Sequence, residues 1–316
     1  MNNDAITLGG SLYCPATRTD LIALGNGKLP RLRSLIYCLE DAVHEHQLEY
    51  ALENLRWTLP QLDLPGPTRF IRVRNPRIAE QVSDFEGLSA IAGVVVPKLT
   101  LANLDDYLDA IHPNLNLMLT LETQEVFSVN EMERLRDALL ERHLGSRIVS
   151  LRIGGNDLLS LLGLRRQRNQ TVHEGVLGFT IAQLVNVFRP YGFNLTSPVY
   201  EVFDDPITLQ RESIQDLERG LFGKTIIHPT QIDVIERTYR VAQRDLEQAE
   251  LILQPHAEAV FALDGTMCEV STHRAWAERM MLQAAIYGIQ ATSQSNSQTT
   301  SETHREALGL ETSHAQ

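Results

Sequence analysis

Two apolar runs, each too short to cross a membrane and each ending at a carboxylate, constrain this chain more than any other feature. LMLTLET at 117–123 ends in Glu122, and IVSLRIGGNDL at 148–158 repeats the design and ends near Asp157. A buried strand that delivers an acid at its C-terminal end is how an α/β barrel places a functional group at its open face. Two such carboxylates can share one metal ion. A hard cation such as Mg²⁺ is commonly held by one or two carboxylates, with water and substrate oxygens completing the octahedron. Taken singly, either acid is more simply a helix cap or an arginine partner; the pair shifts the balance toward a metal site.

The surrounding sequence repeats the same alternation. Candidate strands are SLYC (11–14), SLIYCL (34–39), FIRVR (70–74), GVVVP (93–97), NLMLTL (116–121), IVSLRI (148–153), FNLTSP (193–198) and KTIIHP (224–229). Between them lie charge-rich segments such as EHQLEYALENLRWTL and VNEMERLRDALLERH, apolar at three- and four-residue spacing. Eight strands alternating with helices predict an α/β fold, a closed (β/α)8 barrel over residues 1–230. No GxGxxG follows the first strand to favour a dinucleotide-binding sheet. With 316 residues, 43% of them hydrophobic, the chain can bury such a core. QIDVIERTYRVAQRDLEQAELILQPHAEAV, then ALDGTM and a helix over 271–288, predict a C-terminal helical extension or lid at 231–288. Residues 289–316, rich in Ser, Thr, Gln and Asn, are expected to form a disordered tail.

Charge and composition narrow the partners. A net charge of −12 argues against a broad phosphate-backbone footprint, so no nucleic acid is expected. No apolar run reaches a membrane span, and MNNDAITLGG lacks a basic region followed by an apolar one, so a cytoplasmic protein without a membrane partner is expected. Cys14, Cys38 and Cys268 lie far apart without CxxC spacing, as reduced core thiols do.

Other strand ends carry further candidates. Glu40 and Asp41 leave the second strand, where they suit either work on metal-bound water or, for Asp41, a helix cap. Arg72 and Arg74, two apart on the third strand, point to one side, and one of them should reach the mouth as a carboxylate fork. Arg18 offers a cation in the loop after the first strand. Lys98 reads as a strand-end charge, and His228 as a hydrogen-bonded packing histidine.

SLYCPATR, YCLEDAV, IRVRN, VVVPK, LTLET, IGGNDL, SPVY, GKTIIHPTQ and ALDGTM, in this order over residues 10–285, carry a resemblance. The chain resembles the HpcH/HpaI aldolase and citrate lyase β-subunit family. That resemblance implies a TIM barrel of the phosphoenolpyruvate/pyruvate type and Mg²⁺, or Mn²⁺ in its place, on Glu122 and Asp157. It implies Arg72 as the clamp for the substrate carboxylate or oxyanion, with Glu40 and Asp41 around the mouth and Arg18, Arg74 and Pro198 on the substrate side. Asp264 resembles the family's proton-transfer residue, which in similar proteins is presented to a neighbouring subunit, so a homo-oligomer, a trimer or dimer of trimers, is expected. The first loop reads Pro15-Ala16-Thr17-Arg18 where the family usually has PGxR. Asn156 and Ser197 stand where many members carry acids, and Arg74 where asparagine is usual. These departures are similar to a divergent branch, the citrate-lyase-like barrels encoded beside tellurium- and stress-resistance genes.

The resemblance implies a lyase or aldolase that breaks or forms a carbon–carbon bond in a 2-hydroxy or 2-oxo acid or its acyl-CoA ester through a metal-stabilised enolate. A thioester hydrolase on the same site and a non-catalytic metabolite-binding or scaffold barrel are the alternatives.

Overall fold

Parallel strands buried on both faces read as continuous apolar runs, and eight such runs close into a barrel in the computed structural model of this chain. The structure describes residues 4–63, 65–263 and 265–290. The strands are β1 (Gly10–Pro15), β2 (Ser34–Cys38), β3 (Thr68–Arg72), β4 (Gly93–Val96), β5 (Asn116–Leu121), β6 (Ile148–Ile153), β7 (Leu195–Ser197) and β8 (Leu221–Ile226). Each pairs in parallel with the next, and β8 pairs with β1 to close the ring. Every residue of β2, β4 and β6 is buried. Helices between the strands cover the outside, and their starts follow capping rules. Asn75 accepts from the Ile78 N–H before the helix Pro76–Ser83, and Asp205 does the same for Thr208 before Pro206–Glu218.

Contacts divide the described residues into two compact units, one ending at Arg240 and one beginning at Val241. The helix Ile232–Thr238 falls in the first, where Arg33 reaches Glu236 at 2.8 Å. In the second unit, helices Gln243–Ile252 and Val270–Tyr287 pack with the antiparallel hairpin β9 (Val260–Leu263) and β10 (Thr266–Glu269). Their core is Val241, Ala249, Ile252, Cys268, Ala277 and Met280. No described helix is long and apolar enough to cross a membrane. Of the disordered tail expected at 289–316, Ile289 and Gln290 are described and pair with Val241, and the rest, from residue 291 on, lies outside the described residues.

β5 and β6 have the bounds the sequence predicts, whereas β3 and β8 are displaced. β3 ends at Arg72 instead of residue 74, because Arg74 turns its guanidinium onto loop carbonyls and Asn75-Pro76 starts a helix. β8 begins at Leu221, three residues before the expected start. Gly223, with φ +83°, sits in it where the register with β7 shifts, a conformation that glycine tolerates. Ile227 and His228 lie past its end, and His228 caps the short helical turn Pro229–Gln231.

The helix Pro206–Glu218 buries an unusual face: Leu209 and Ser213, but also Glu212 and Asp216. Both acids meet the ammonium of Lys224 on β8 at 2.8 Å, and none of these three side chains is exposed. Arg166 pairs with Glu212, and His173 Nε2 lies 2.7 Å from Asp216. Burial pushes the Asp216 carboxyl upward, but Lys224 and His173 outweigh it and hold the group below its usual value. Removing one member of such a buried set leaves charge without a partner. Lys224→Met should therefore destabilise the protein by about 3–5 kcal/mol in urea unfolding. A change under about 1 kcal/mol would show that the acids are neutralised or hydrated instead.

Candidate active site

At the C-terminal ends of the strands, a cavity of about 340 Å³ opens between β1, β3, β5 and β6. Tyr13, Arg72, Thr120, Glu122, Arg152 and Asp157 are among the residues that line it. The barrel supplies these positions because a parallel strand alternates its side chains, so one end of each strand aims a polar group at the mouth.

Arg72, the last residue of β3, is 8% exposed and forms the hub. Its Nη2 lies 2.7 Å from Glu40 Oε2, 3.0 Å from Glu122 Oε1 and 3.3 Å from Asp41 Oδ2. Burial works against its charge, but Tyr13 and the acids around it prevail and hold the guanidinium firmly charged. Its Nε is buried without a hydrogen-bond partner. Arg74, by contrast, donates to the carbonyls of Leu39, Glu40 and Val43, and so fixes the loop after β2. The geometry thereby separates two arginines that sequence spacing treats alike.

Glu122 follows β5 and is 2% exposed. Oε1 accepts from Arg72 and from the Lys98 backbone N–H at 2.8 Å, while Oε2 accepts no hydrogen bond among the described residues. The carboxylate passes so close to the loop after β6 that a Cβ on Gly154 would lie 2.4 Å from it. Burial pushes the Glu122 carboxyl up to about 7, with Arg72 opposing and Asp157 adding to the rise. Asp157, in the first turn of the helix Gly155–Leu161, is also raised, by partial burial and by Asp41. Lys98 links the acids: its Nζ pairs with Glu40 and lies 3.3 Å from Asp41 and 4.0 Å from Asp157. A strand-end charge in sequence is thus part of the site. Burial raises Glu40, and Arg72 and Lys98 counter it. Asp41 is lowered: its burial is outweighed by Glu40's hydrogen bond and the two cations.

Other sequence candidates lie elsewhere. Arg18 is held by Asp20, Nε to Oδ1 at 2.8 Å and Nη2 to Oδ2 at 3.0 Å, away from the cavity lining. Pro198 is buried beneath Gly155, whose Cβ would meet it at 2.8 Å, so it shapes the floor of the Gly-Gly loop. Asn156 donates to Glu201. Asp264 lies outside the described residues. Sequence reasoning missed Tyr13 and Arg152, although a lone arginine inside the apolar run of β6 was the available signal.

Among the described residues no group of three or more His, Cys, Asp or Glu side chains is arranged around a metal position. The two carboxylates that could hold a cation are Glu122 and Asp157, an arrangement that suits an ion keeping most of its other ligands as water or substrate.

Comparison with known proteins agrees with this architecture. A family profile described as C–C bond lyase of the TIM-barrel fold matches residues 2–289. The (3S)-malyl-CoA thioesterase of Cereibacter sphaeroides is 25% identical over 266 residues, 82% of this chain and 88% of that protein. The citrate lyase subunit beta-like protein of Mycobacterium tuberculosis is 26% identical over 280 residues, 87% of this chain and 95% of that one. The crystal structure of CitE from Mycobacterium tuberculosis in complex with magnesium, acetoacetate and coenzyme A covers 89% of this chain and 99% of its own. It matches with a TM-score of 0.66 at 23% identity, a likeness of fold. The chain, matched over nearly its whole described length, belongs to the C–C bond lyase family of the TIM-barrel fold.

Proposed function

We propose that this protein is a Mg²⁺-dependent carbon–carbon lyase or aldolase acting on a 2-oxo or 2-hydroxy acid or its acyl-CoA ester. The observation that carries this reading is the buried guanidinium of Arg72, with an unpartnered Nε, beside Glu122 and Asp157 on one cavity. The donor set fits the ion. Glu122 Oε2 is an open acceptor, and burial, with the like charge of Asp157 adding to it, disfavours ionisation of Glu122 until a cation arrives. Bound there, Mg²⁺ would supply Lewis-acid polarisation of a substrate oxygen.

The protein's own residues would do the rest. Arg72 offers a fixed positive charge to the substrate carboxylate, or to the oxygen that gains charge as the carbon–carbon bond breaks and its electron pair passes into an enolate. Glu40 and Glu122 already hold the guanidinium in place, so little reorganisation is needed when that charge develops. Lys98 holds Glu40 and Asp41, which keeps the anionic wall from collapsing onto Arg72 alone. The magnesium, acetoacetate and coenzyme A carried by the fold relative from Mycobacterium tuberculosis support this class of ligand.

A second reading, thioester hydrolysis, is favoured by the relatives named (3S)-malyl-CoA thioesterase. Incubation with malyl-CoA separates the two: a lyase releases a 2-oxo acid and keeps the thioester, whereas a hydrolase consumes water and releases free thiol.

Three measurements test the site. Arg72→Ala should lower kcat by about 10²–10³-fold, the typical loss of one preorganised donor; a drop of less than fivefold would move the clamp elsewhere. In calorimetry, Glu122→Gln combined with Asp157→Asn should abolish Mg²⁺ binding, and unchanged binding would remove the metal assignment. The pH dependence has a definite sign. Because Glu122 is raised from 4.5 to about 7, the metal-free protein keeps this contribution to stability below pH 4.5 and loses it as pH rises through about 7. Mg²⁺ needs the ionised form, so its affinity should fall by up to about tenfold per pH unit below about 7. A flat affinity between pH 5.5 and 8 would mean that Glu122 is ionised throughout that range or is not a ligand, and the Glu122→Gln, Asp157→Asn variant separates the two.

A further inference from the structure

We propose that Arg152 binds a second anionic group of the substrate, so that the cavity selects a compound carrying two carboxylates. This rests on the reading of the cavity as a site for a 2-oxo or 2-hydroxy acid and names which acids it takes.

Arg152 is 2% exposed, inside β6, and is among the largest fully buried side chains of the protein. Other buried cations of the barrel have a carboxylate or backbone carbonyls of the protein beside them, even where, as in Arg72, one nitrogen stays free. Arg72 meets three carboxylates, Lys224 two and Arg166 one, and Arg69 donates to the carbonyls of Gly25, Asp63 and Ala90. Arg152 has only neutral partners: Nη2 donates to Thr225 Oγ1 at 2.5 Å and Nη1 to the thioether of Met118 at 3.4 Å. Among the described residues no carboxylate lies within ion-pair distance of it. A buried charge without a counter-charge is costly, and an anion brought by a ligand would offset that cost.

The position is right for such an anion. Arg152 lines the same cavity as Arg72, and the two guanidinium carbons stand 5.5 and 5.8 Å from the centre of one ring, that of Tyr13. Thr120, paired in register with Arg152 across β5 and β6, lines the cavity too, and its hydroxyl is buried without a partner. One cation and one uncommitted hydroxyl on neighbouring strands make a seat for a carboxylate. Arg72 is enclosed by the protein's own acids; Arg152 is not. The end of the substrate next to Glu122, Asp157 and Arg72 is then the reacting 2-oxo or 2-hydroxy acid, and the far carboxylate rests on Arg152 and Thr120. A cavity of about 340 Å³ is at the small end of ligand sites, a size suited to a short diacid.

The test compares pyruvate, which has one carboxylate, with oxaloacetate and 2-oxoglutarate, which have two, by calorimetry at saturating Mg²⁺. The wild-type protein should bind a dicarboxylate at least tenfold more tightly than pyruvate. Arg152→Met should erase most of that ratio, Arg152→Lys should retain part of it, and Thr120→Val should reduce it. Mg²⁺ binding and the thermal transition of each variant report on folding. If Arg152→Met does not fold, the Lys and Val variants still read the ratio. Equal affinities in the wild type, or a ratio unchanged by the variants, would overturn the role of Arg152 and leave the proposed function standing. Failure of the wild type to bind Mg²⁺ and any of the three acids would remove the proposed function, and this inference with it.

Discussion

The mouth of this barrel depends on one buried guanidinium. Glu40 and Asp41 arrive from the end of β2 and Glu122 from the end of β5, and three carboxylates gathered this closely would repel one another out of position. Arg72, at the end of β3 between them, meets all three through a single nitrogen. Lys98 adds a second cation on the outer side. The contacts of Arg72 with Glu40 and Glu122 offset the cost of burying those two acids, while Asp41 and Lys98 pair at the exposed edge of the cluster. The backbone serves the same end: Arg74 ties down the loop that carries Glu40 and Asp41, and the absent side chain of Gly154 makes room for Glu122.

A second ionic cluster, made by Lys224, Glu212, Asp216, His173 and Arg166, lies behind the β8 side of the barrel. Unlike the first, it gives every cation a carboxylate partner, although Arg166 Nε and His173 Nδ1 are buried without a partner. Its charges balance within the protein, its members are almost wholly buried, and Ser197 accepts a further hydrogen bond from Lys224 at 3.3 Å. The negative charge facing Lys224 comes from Glu212 and Asp216 of the helix Pro206–Glu218. The clusters differ in charge pairing: in the second, each cation meets a carboxylate on the helix Pro206–Glu218, whereas at the mouth Glu122 keeps an open carboxylate oxygen and Arg152 has no counter-charge among the described residues.

The residues around the cavity also divide by what they can bind. The acids Glu122 and Asp157 call for a cation, and Arg72 and Arg152 call for anions. Under the function proposed above, a 2-oxo or 2-hydroxy diacid with its metal ion would satisfy both demands at once.

The amino-acid sequence by itself determined the alternation of strands and helices, the number of strands, and the delivery of Glu122 and Asp157 to one face. A strand buried on both sides must be apolar along its whole length, so β5 and β6 are legible to the residue and the acids that follow them stand out. Tertiary structure decided the rest. Arg72 and Arg74 have the same spacing and chemistry, and only the positions of the β2 loop carbonyls and of Glu122, 50 residues away, give them different roles. Glu212 and Asp216 look like solvated helix charges until Lys224 is set against them. Arg152 is visible in the sequence as a charge in an apolar run, but its lack of a carboxylate partner can be seen only once the barrel closes. Sequence spacing fixes which way a side chain leaves its own strand; what it meets depends on strands and loops tens of residues away.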